Sequence, residues 1–270
     1  MTGGASGIGL GMARAFAEQG LQPVLLDVDG AGLAAARSTL AEAGHTVLTL
    51  CADICDRQAL HAAIEQVLTR HGALHVVCAN AGVPGYLGPL QETSDGDWDW
   101  VIDINLKGAV NTVQACLPAL LQHPAAAHIV LTSSISGLRV YQPSRGQGMY
   151  NTTKFALVGY GEALQADLGP LGVGVSILCP GVINTALSHA GRQRPQRYGG
   201  PLETSDDFVL AKAALQGTDP LEYGRWVLKA MEQNRLYVIT HPQDRNLVER
   251  RHAEILAAFD RSADLTGAKS

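Results

Sequence analysis

Residues 2–9 read TGGASGIG, glycines in the spacing Thr-Gly-x-x-x-Gly-x-Gly, and an amphipathic run follows through residue 19. Such a set marks the end of a buried β-strand and the start of a helix. Gly3 permits the tight turn, Gly7 lets the backbone approach a pyrophosphate, and Gly9 lets the new helix pack close to the sheet, with anionic phosphate at the positive helix N-terminus. The next apolar element, LQPVLLDVDG, carries Asp27, 18 residues beyond Gly9, where a carboxylate can hold the ribose hydroxyls of an adenosine. That charge would repel the 2′-phosphate of NADP, and neither Ser6 nor Val28 offers a compensating cation, so NAD is the expected cofactor.

Outward from this turn, strand-length apolar runs alternate with helix-length amphipathic segments. Strands are predicted at 22–27, 46–50, 74–78, 128–132, 173–178 and 236–240; helices at about 8–19, 31–43, 56–70, 97–121, 149–168, 220–233 and 243–258. Gly20, Gly44 and Gly72 stand just past three helices as stop signals. This is the pattern of βαβ units around a parallel sheet. The expectation is an α/β fold, a Rossmann-type doubly wound sheet in three layers, with 1–270 as one dinucleotide-binding and catalytic domain. Segment 185–219, rich in proline and glycine, breaks the rhythm and is expected to be a substrate lid, with a frayed tail at about 260–270. Its Arg192, Arg194 and Arg197 read as a solvated loop face.

Composition narrows the function. Hydrophobic residues make up 46% of the chain, charged ones 17%, and the net charge is −5, which disfavours a general nucleic-acid or anionic-membrane binder. The five cysteines, at 51, 55, 78, 116 and 179, suit buried thiols in a reducing, cytoplasmic setting. Cys51 and Cys55 lack a partnering Cys or His pair, so no metal is expected. No apolar run approaches membrane-span length.

A second constellation is YNTTK, with Tyr150 and Lys154 at i and i+4 on one helix face. A phenol is a poor base at its free pKa of about 10, but a neighbouring ammonium stabilises phenolate and moves it toward general acid–base duty.

Taken together, TGGASGIG, Asp27, Asp53, NAG at 80–82, the Asn of INLKG (Asn105), SSISG at 133–137, YNTTK and PGVINT at 180–185 resemble the short-chain dehydrogenase/reductases from residue 2 to about 240. The resemblance implies a catalytic tetrad of Asn105, Ser134, Tyr150 and Lys154. In it Tyr150 takes the alcohol proton, Ser134 bonds the substrate oxygen, Lys154 holds the nicotinamide ribose, and Asn105 holds a water leading protons from Lys154. It also implies cofactor contacts from Ser6 and Ile8 in the glycine loop, Asp53 and Ile54 near adenine, Asn80, Ala81 and Gly82 beside the adenosine ribose, and Pro180, Gly181, Ile183 and Thr185 near the carboxamide. A homo-oligomer, dimer or tetramer, is implied by the same likeness, through the helices at 97–121 and 149–168.

Two departures stand out. Ser134 precedes Tyr150 by 16 residues, with YQPSRGQGM enlarging the gap, and Ala79 stands where the family motif commonly has an asparagine. The stretches RQRPQRYGG at 192–200 and MEQNRLYVITHPQDRNLVERR at 231–251 resemble the branch of aryl-alcohol Cα-dehydrogenases, which implies a bulky secondary alcohol or ketone as the small-molecule substrate. Two other readings stay open: a non-catalytic NAD-binding regulator, which would not need Tyr150 or Lys154, and an epimerase or dehydratase, whose glycine spacing usually differs. Since the glycine loop should come after a strand and only Met1 precedes it, a short apolar strand is expected to be encoded upstream, central in the sheet.

Overall fold

Strand sequences such as HIVLT and GVSILC are apolar on both faces, as parallel strands covered on both sides require. The computed structural model describes residues 1–140, 147–181, 186–202 and 217–266. Its strands are β1 (Val24–Asp27), β2 (Leu48–Cys51), β3 (Val76–Ala79), β4 (His128–Thr132), β5 (Gly174–Cys179) and β6 (Tyr237–Ile239). All pairings are parallel, β1 with β2 in one sheet and β3-β4-β5-β6 in another. Each predicted strand lies where the sequence placed it.

Residues 1–2 join the two sheets. The Met1 amine donates to the Val24 carbonyl (2.8 Å) and the Met1 carbonyl accepts from the Leu26 amide (2.9 Å), while the Thr2 amide donates to the Cys78 carbonyl (3.0 Å). Two residues thus do the pairing of a strand between β1 and β3. Beside them is a cavity of about 340 Å³ lined by Phe16, Leu26, Leu60, Val76, Cys78 and Cys116. Burial lowers the pKa of the Met1 amine there.

Helices α1 (Gly7–Glu18), α2 (Gly30–Glu42) and α7 (Pro220–Glu232) cover one face; α3 (Arg57–His71), α5 (Ala109–Leu120) and α6 (Gly148–Leu168) cover the other, and α4 (Asp95–Ile102) packs against Met149 of α6. Period-two alternation divides the core. Leu25 packs with Leu33 and Leu40 of α2, and Leu26 with Leu60 and Val67 of α3. Gly11 and Gly224 bring α1 and α7 together; a Cβ on Gly11 would lie 2.2 Å from the Pro220 carbonyl oxygen.

Three expectations are corrected. The helix predicted over 97–121 is broken by a π-helical turn, Asp103–Gly108, between α4 and α5. The last helix, α8 (Arg245–Thr266), extends through most of the predicted frayed tail because no breaker occurs before Gly267. Cys51 is exposed rather than buried, since it closes β2 at the outer edge of its sheet.

Candidate active site

The strands' carboxyl ends form the crevice where open α/β sheets bind ligands, and the strand order reverses at residues 1–4, between β1 and β3. The glycine loop sits at this point. Gly3 adopts φ +62°, and a Cβ on Gly9 would lie 2.1 Å from the Gly3 carbonyl oxygen, so the backbone is held in a turn no side chain fits. Exposed Ser6 is the N-cap of α1 but makes no side-chain cap bond, which leaves the first amides of that helix open to an anion. The residues present fit a dinucleotide pyrophosphate.

Asp27 and Asn80 brace this cradle. The Asp27 carboxylate accepts from the amides of Ala5 and Asp29, 3.1 Å each, and ties the loop to the end of β1. The Asn80 amide side chain donates to the carbonyls of Thr2 (3.0 Å) and Gly3 (3.3 Å) and accepts from Thr132 Oγ1 (3.0 Å); the Thr2 hydroxyl accepts from the amides of Asn80 and Ala81. These side chains hold the loop's shape. Asp53 lies just past β2, with Oδ1 accepting from the Cys55 amide, while Ile54 is buried between α3 and the sheet.

The four residues of the implied tetrad converge. Tyr150 and Lys154 lie on the first turns of α6, and the Lys154 nitrogen is 5.4 Å from the centroid of the Tyr150 ring. The Ser134 side chain lies close enough to the Tyr150 phenol to lower its pKa, and it accepts from the Ser136 amide (3.1 Å) and donates to the Pro180 carbonyl (3.4 Å). Lys154 Nζ donates to the Thr132 carbonyl (2.8 Å), and Ser133 Oγ donates to the Lys154 carbonyl (2.8 Å), so both serines act, in different roles. Gly82 fits between Asn105 and Lys154, where a Cβ would touch Asn105 Oδ1 at 3.3 Å and Lys154 Nζ at 3.4 Å.

Asn105 comes from the π-turn. A π-turn inserts one residue and re-aims the side chains around it, a device frequent at functional sites. Fully buried, Asn105 accepts from the Val83 amide (2.7 Å) and donates to the Val83 carbonyl (2.9 Å) and Thr153 Oγ1 (3.1 Å). Its side chain therefore clamps the β3 exit loop to α6.

Burial sets the protonation states. It pushes the Tyr150 phenol up to about 12, against the lowering effect of the Ser134 side chain, and pushes Lys154 down to about 8. Desolvation dominates at the phenol in the free protein, where the Lys154 nitrogen is engaged by the Thr132 carbonyl.

Pro180 and Gly181 close the crevice after β5, with the Ile135 amide donating to the Pro180 carbonyl (2.8 Å) and the Gly181 amide to His241 Nδ1 (3.1 Å). Ile183 and Thr185 lie outside the described residues, as do most of YQPSRGQGM and residues 203–216 of the segment expected to be a lid. Tyr198 is buried with Val83, Trp100, Val101 and Met149 in an apolar wall next to α6. The reading of the arginine cluster as a solvated face fails at Arg194, which is 5% exposed and ion-paired to buried Asp97 at 2.6 Å. Its residue type gave no hint, because only the fold brings 194 to α4.

Among the described residues no helix is long and apolar enough to cross a membrane, and no group of metal-ligating side chains assembles. Residues 1–196 match the family model for short chain dehydrogenases. A CLA biosynthesis dehydrogenase/reductase of Lactiplantibacillus plantarum is 30% identical over 95% of this chain and 92% of its own length. The C alpha-dehydrogenase of Sphingobium sp. is also 30% identical, over 95% of this chain and 84% of its own. A solved short chain dehydrogenase/reductase from Burkholderia phymatum, in complex with NAD, superposes with a TM-score of 0.88 at 32% identity, covering 96% of this chain and 93% of that one. With its glycine cradle, its Ser134–Tyr150–Lys154 cluster and a family match over more than half its length, the chain belongs to the short-chain dehydrogenase family.

Proposed function

We propose that the protein is an NAD-dependent oxidoreductase interconverting a secondary alcohol and a ketone, with a bulky or aromatic substrate. The observation that carries this reading is the convergence of Ser134, Tyr150 and Lys154 beside a cradle shaped for a pyrophosphate. The NAD complex of the Burkholderia relative and the C alpha-dehydrogenase likeness support cofactor and substrate class. Preference for NAD over NADP rests on the Asp27 carboxylate at the end of β1.

When bound, the nicotinamide supplies the hydride acceptor or donor. The chain's own residues manage the proton and the oxygen. Tyr150 Oη takes the alcohol proton or returns it to the ketone oxygen, and Ser134 Oγ donates to that oxygen as charge develops there. A phenol at about 12 is protonated in the free protein, the form required for reduction; for oxidation the cationic form of Lys154 favours phenolate. Trp100, Tyr198 and Met149 supply an apolar wall that suits an aryl substituent and excludes water. A dimer or tetramer in the cytoplasm, with 185–219 as the lid of a single catalytic domain, completes the proposal; sedimentation checks the assembly.

Tyr150→Phe tests the reading. Turnover falls by at least about 10²-fold, the lower range for a positioned acid–base, while NADH affinity stays within about twofold. Wild-type-like turnover would overturn the assignment, and higher activity with NADP than with NAD would overturn the cofactor preference.

A further inference from the structure

The segment Gly191–Gly200 lies against α4 and the turns after β1 and β2, and four of its side chains bond to residues of other elements. Arg194 is the anchor. Its Nη1 meets Asp97 Oδ1 at 2.6 Å, its Nη2 donates to the Tyr198 carbonyl, and its guanidinium lies 5.5 Å from the Trp100 ring centroid. The segment also closes on itself, since the Leu202 amide donates to the Gly191 carbonyl (2.9 Å) and the Gly200 amide to the Pro195 carbonyl (3.2 Å). The absence of a side chain on Gly96 admits the Tyr198 carbonyl, and the Tyr198 hydroxyl donates to Asp103 Oδ2 (2.8 Å).

From this fixed base two further side chains reach the turns after β1 and β2. Gln193 Nε2 donates to Asp29 Oδ2 at 3.3 Å, and Arg197 Nη2 donates to Asp53 Oδ2 at 3.0 Å. Asp29 caps α2 two residues beyond Asp27, and Asp53 lies just past β2. One short segment therefore spans both turns outside the carboxyl ends of the first two strands. A dinucleotide whose pyrophosphate sits on the glycine loop puts its adenosine half there. Arg197 also borders a surface hollow of about 620 Å³ that Asp53, Asp103 and Tyr198 line.

We propose that Gln193 and Arg197 clasp the adenosine half of the cofactor, Arg197 laying its planar guanidinium over the adenine while it steadies Asp53, and Gln193 bridging to the ribose-side turn. The inference rests on the dinucleotide reading of the glycine cradle. A guanidinium suits this place because it stacks on an aromatic face while its edge keeps the carboxylate bond. Asp53 Oδ2 retains a lone pair for the adenine amine, so arginine and base share the carboxylate rather than compete for it. Both clasp residues are solvent-exposed in the free protein, which leaves the fold indifferent to their truncation.

The test is a fluorescence titration of the full chain and of the Gln193→Ala/Arg197→Ala double variant with NADH and with reduced nicotinamide mononucleotide, which lacks the adenosine half. The double variant is expected to lose about fivefold in NADH affinity, with an equal loss for ADP-ribose in competition and no change for the mononucleotide. NADH affinity within about twofold of wild type overturns the clasp, as does a gain, which would mean that Arg197 merely occupies Asp53. Equal losses for NADH and the mononucleotide also overturn it. If the unmodified chain binds no NADH, the dinucleotide reading falls, and the clasp with it.

Discussion

At the scale of single residues, the site separates groups that meet the reactants from groups that hold them. In the proposed reaction Tyr150 and Ser134 meet the reacting oxygen; Asn105, Asn80 and Asp27 have their side chains bonded to neighbouring backbone. The sequence made Tyr150 and Lys154 legible because i, i+4 spacing sets them on one helix face, and the glycine loop because its own spacing marks a strand-to-helix turn. It could not show that the implied polar contacts of Asn105 and Asn80 are spent within the protein, since those partners come from the loop after β3 and from α6 for Asn105, and from residues 2–3 and β4 for Asn80. Lys154 yields a pH test. Its pKa is about 8 folded and 10.5 unfolded, so between those values the unfolded chain binds more protons and the lysine's contribution to stability rises with pH. Tyr150 acts oppositely above pH 10, where the unfolded phenol ionises first, and the buried thiols of Cys55, Cys116 and Cys179 do so above pH 9. The unfolding free energy of wild type minus that of Lys154→Met isolates the lysine. By urea titration that difference should grow from pH 8 to pH 10; a flat difference would contradict the shift.

At the scale of elements, the strands were readable almost residue for residue, whereas long helices were readable only in outline. Periodicity sees a helical stripe through 97–121 but not the inserted residue that makes the π-turn and aims Asn105 inward. The segment 186–202 behaves similarly. Its arginines look like a solvated run until α4 supplies Asp97, whose carboxyl burial pushes up but Ser94 and Arg194 bring below the usual range. Truncating Arg194 to alanine leaves that carboxylate buried without its cation, which costs about 3–5 kcal/mol at such sites. Thermal or urea unfolding should show the loss, and the joint replacement Asp97→Leu/Arg194→Met should recover most of it, because no buried charge is then left alone. A single variant as stable as wild type would contradict the anchor.

At the scale of the molecule, the sheet is two sheets joined by residues 1–2, with an apolar cavity between β1 and β3. The cavity is lined by Leu26 of β1, Leu60 and Val67 of α3, and Val76 and Val77 of β3, so apolar side chains added there would be buried. An engineered extension of five apolar residues ahead of Met1 should pair beside β1 and β3, bury several large side chains and move the amine out of the core. Its expected effect is a Tm rise of about 5 °C or more. Calorimetry showing no rise would contradict that burial.

The central claim is that Tyr150 moves a proton while hydride passes between a secondary alcohol and the nicotinamide. The most direct measurement is label transfer: the chain is incubated with NAD and a secondary aryl alcohol deuterated at its carbinol carbon, and the recovered cofactor is weighed by mass spectrometry. Deuterium in the reduced cofactor with wild type, and its near-absence with Tyr150→Phe, is the predicted result. Ketone formation without label in the cofactor, or equal labelling by the variant, would contradict the account.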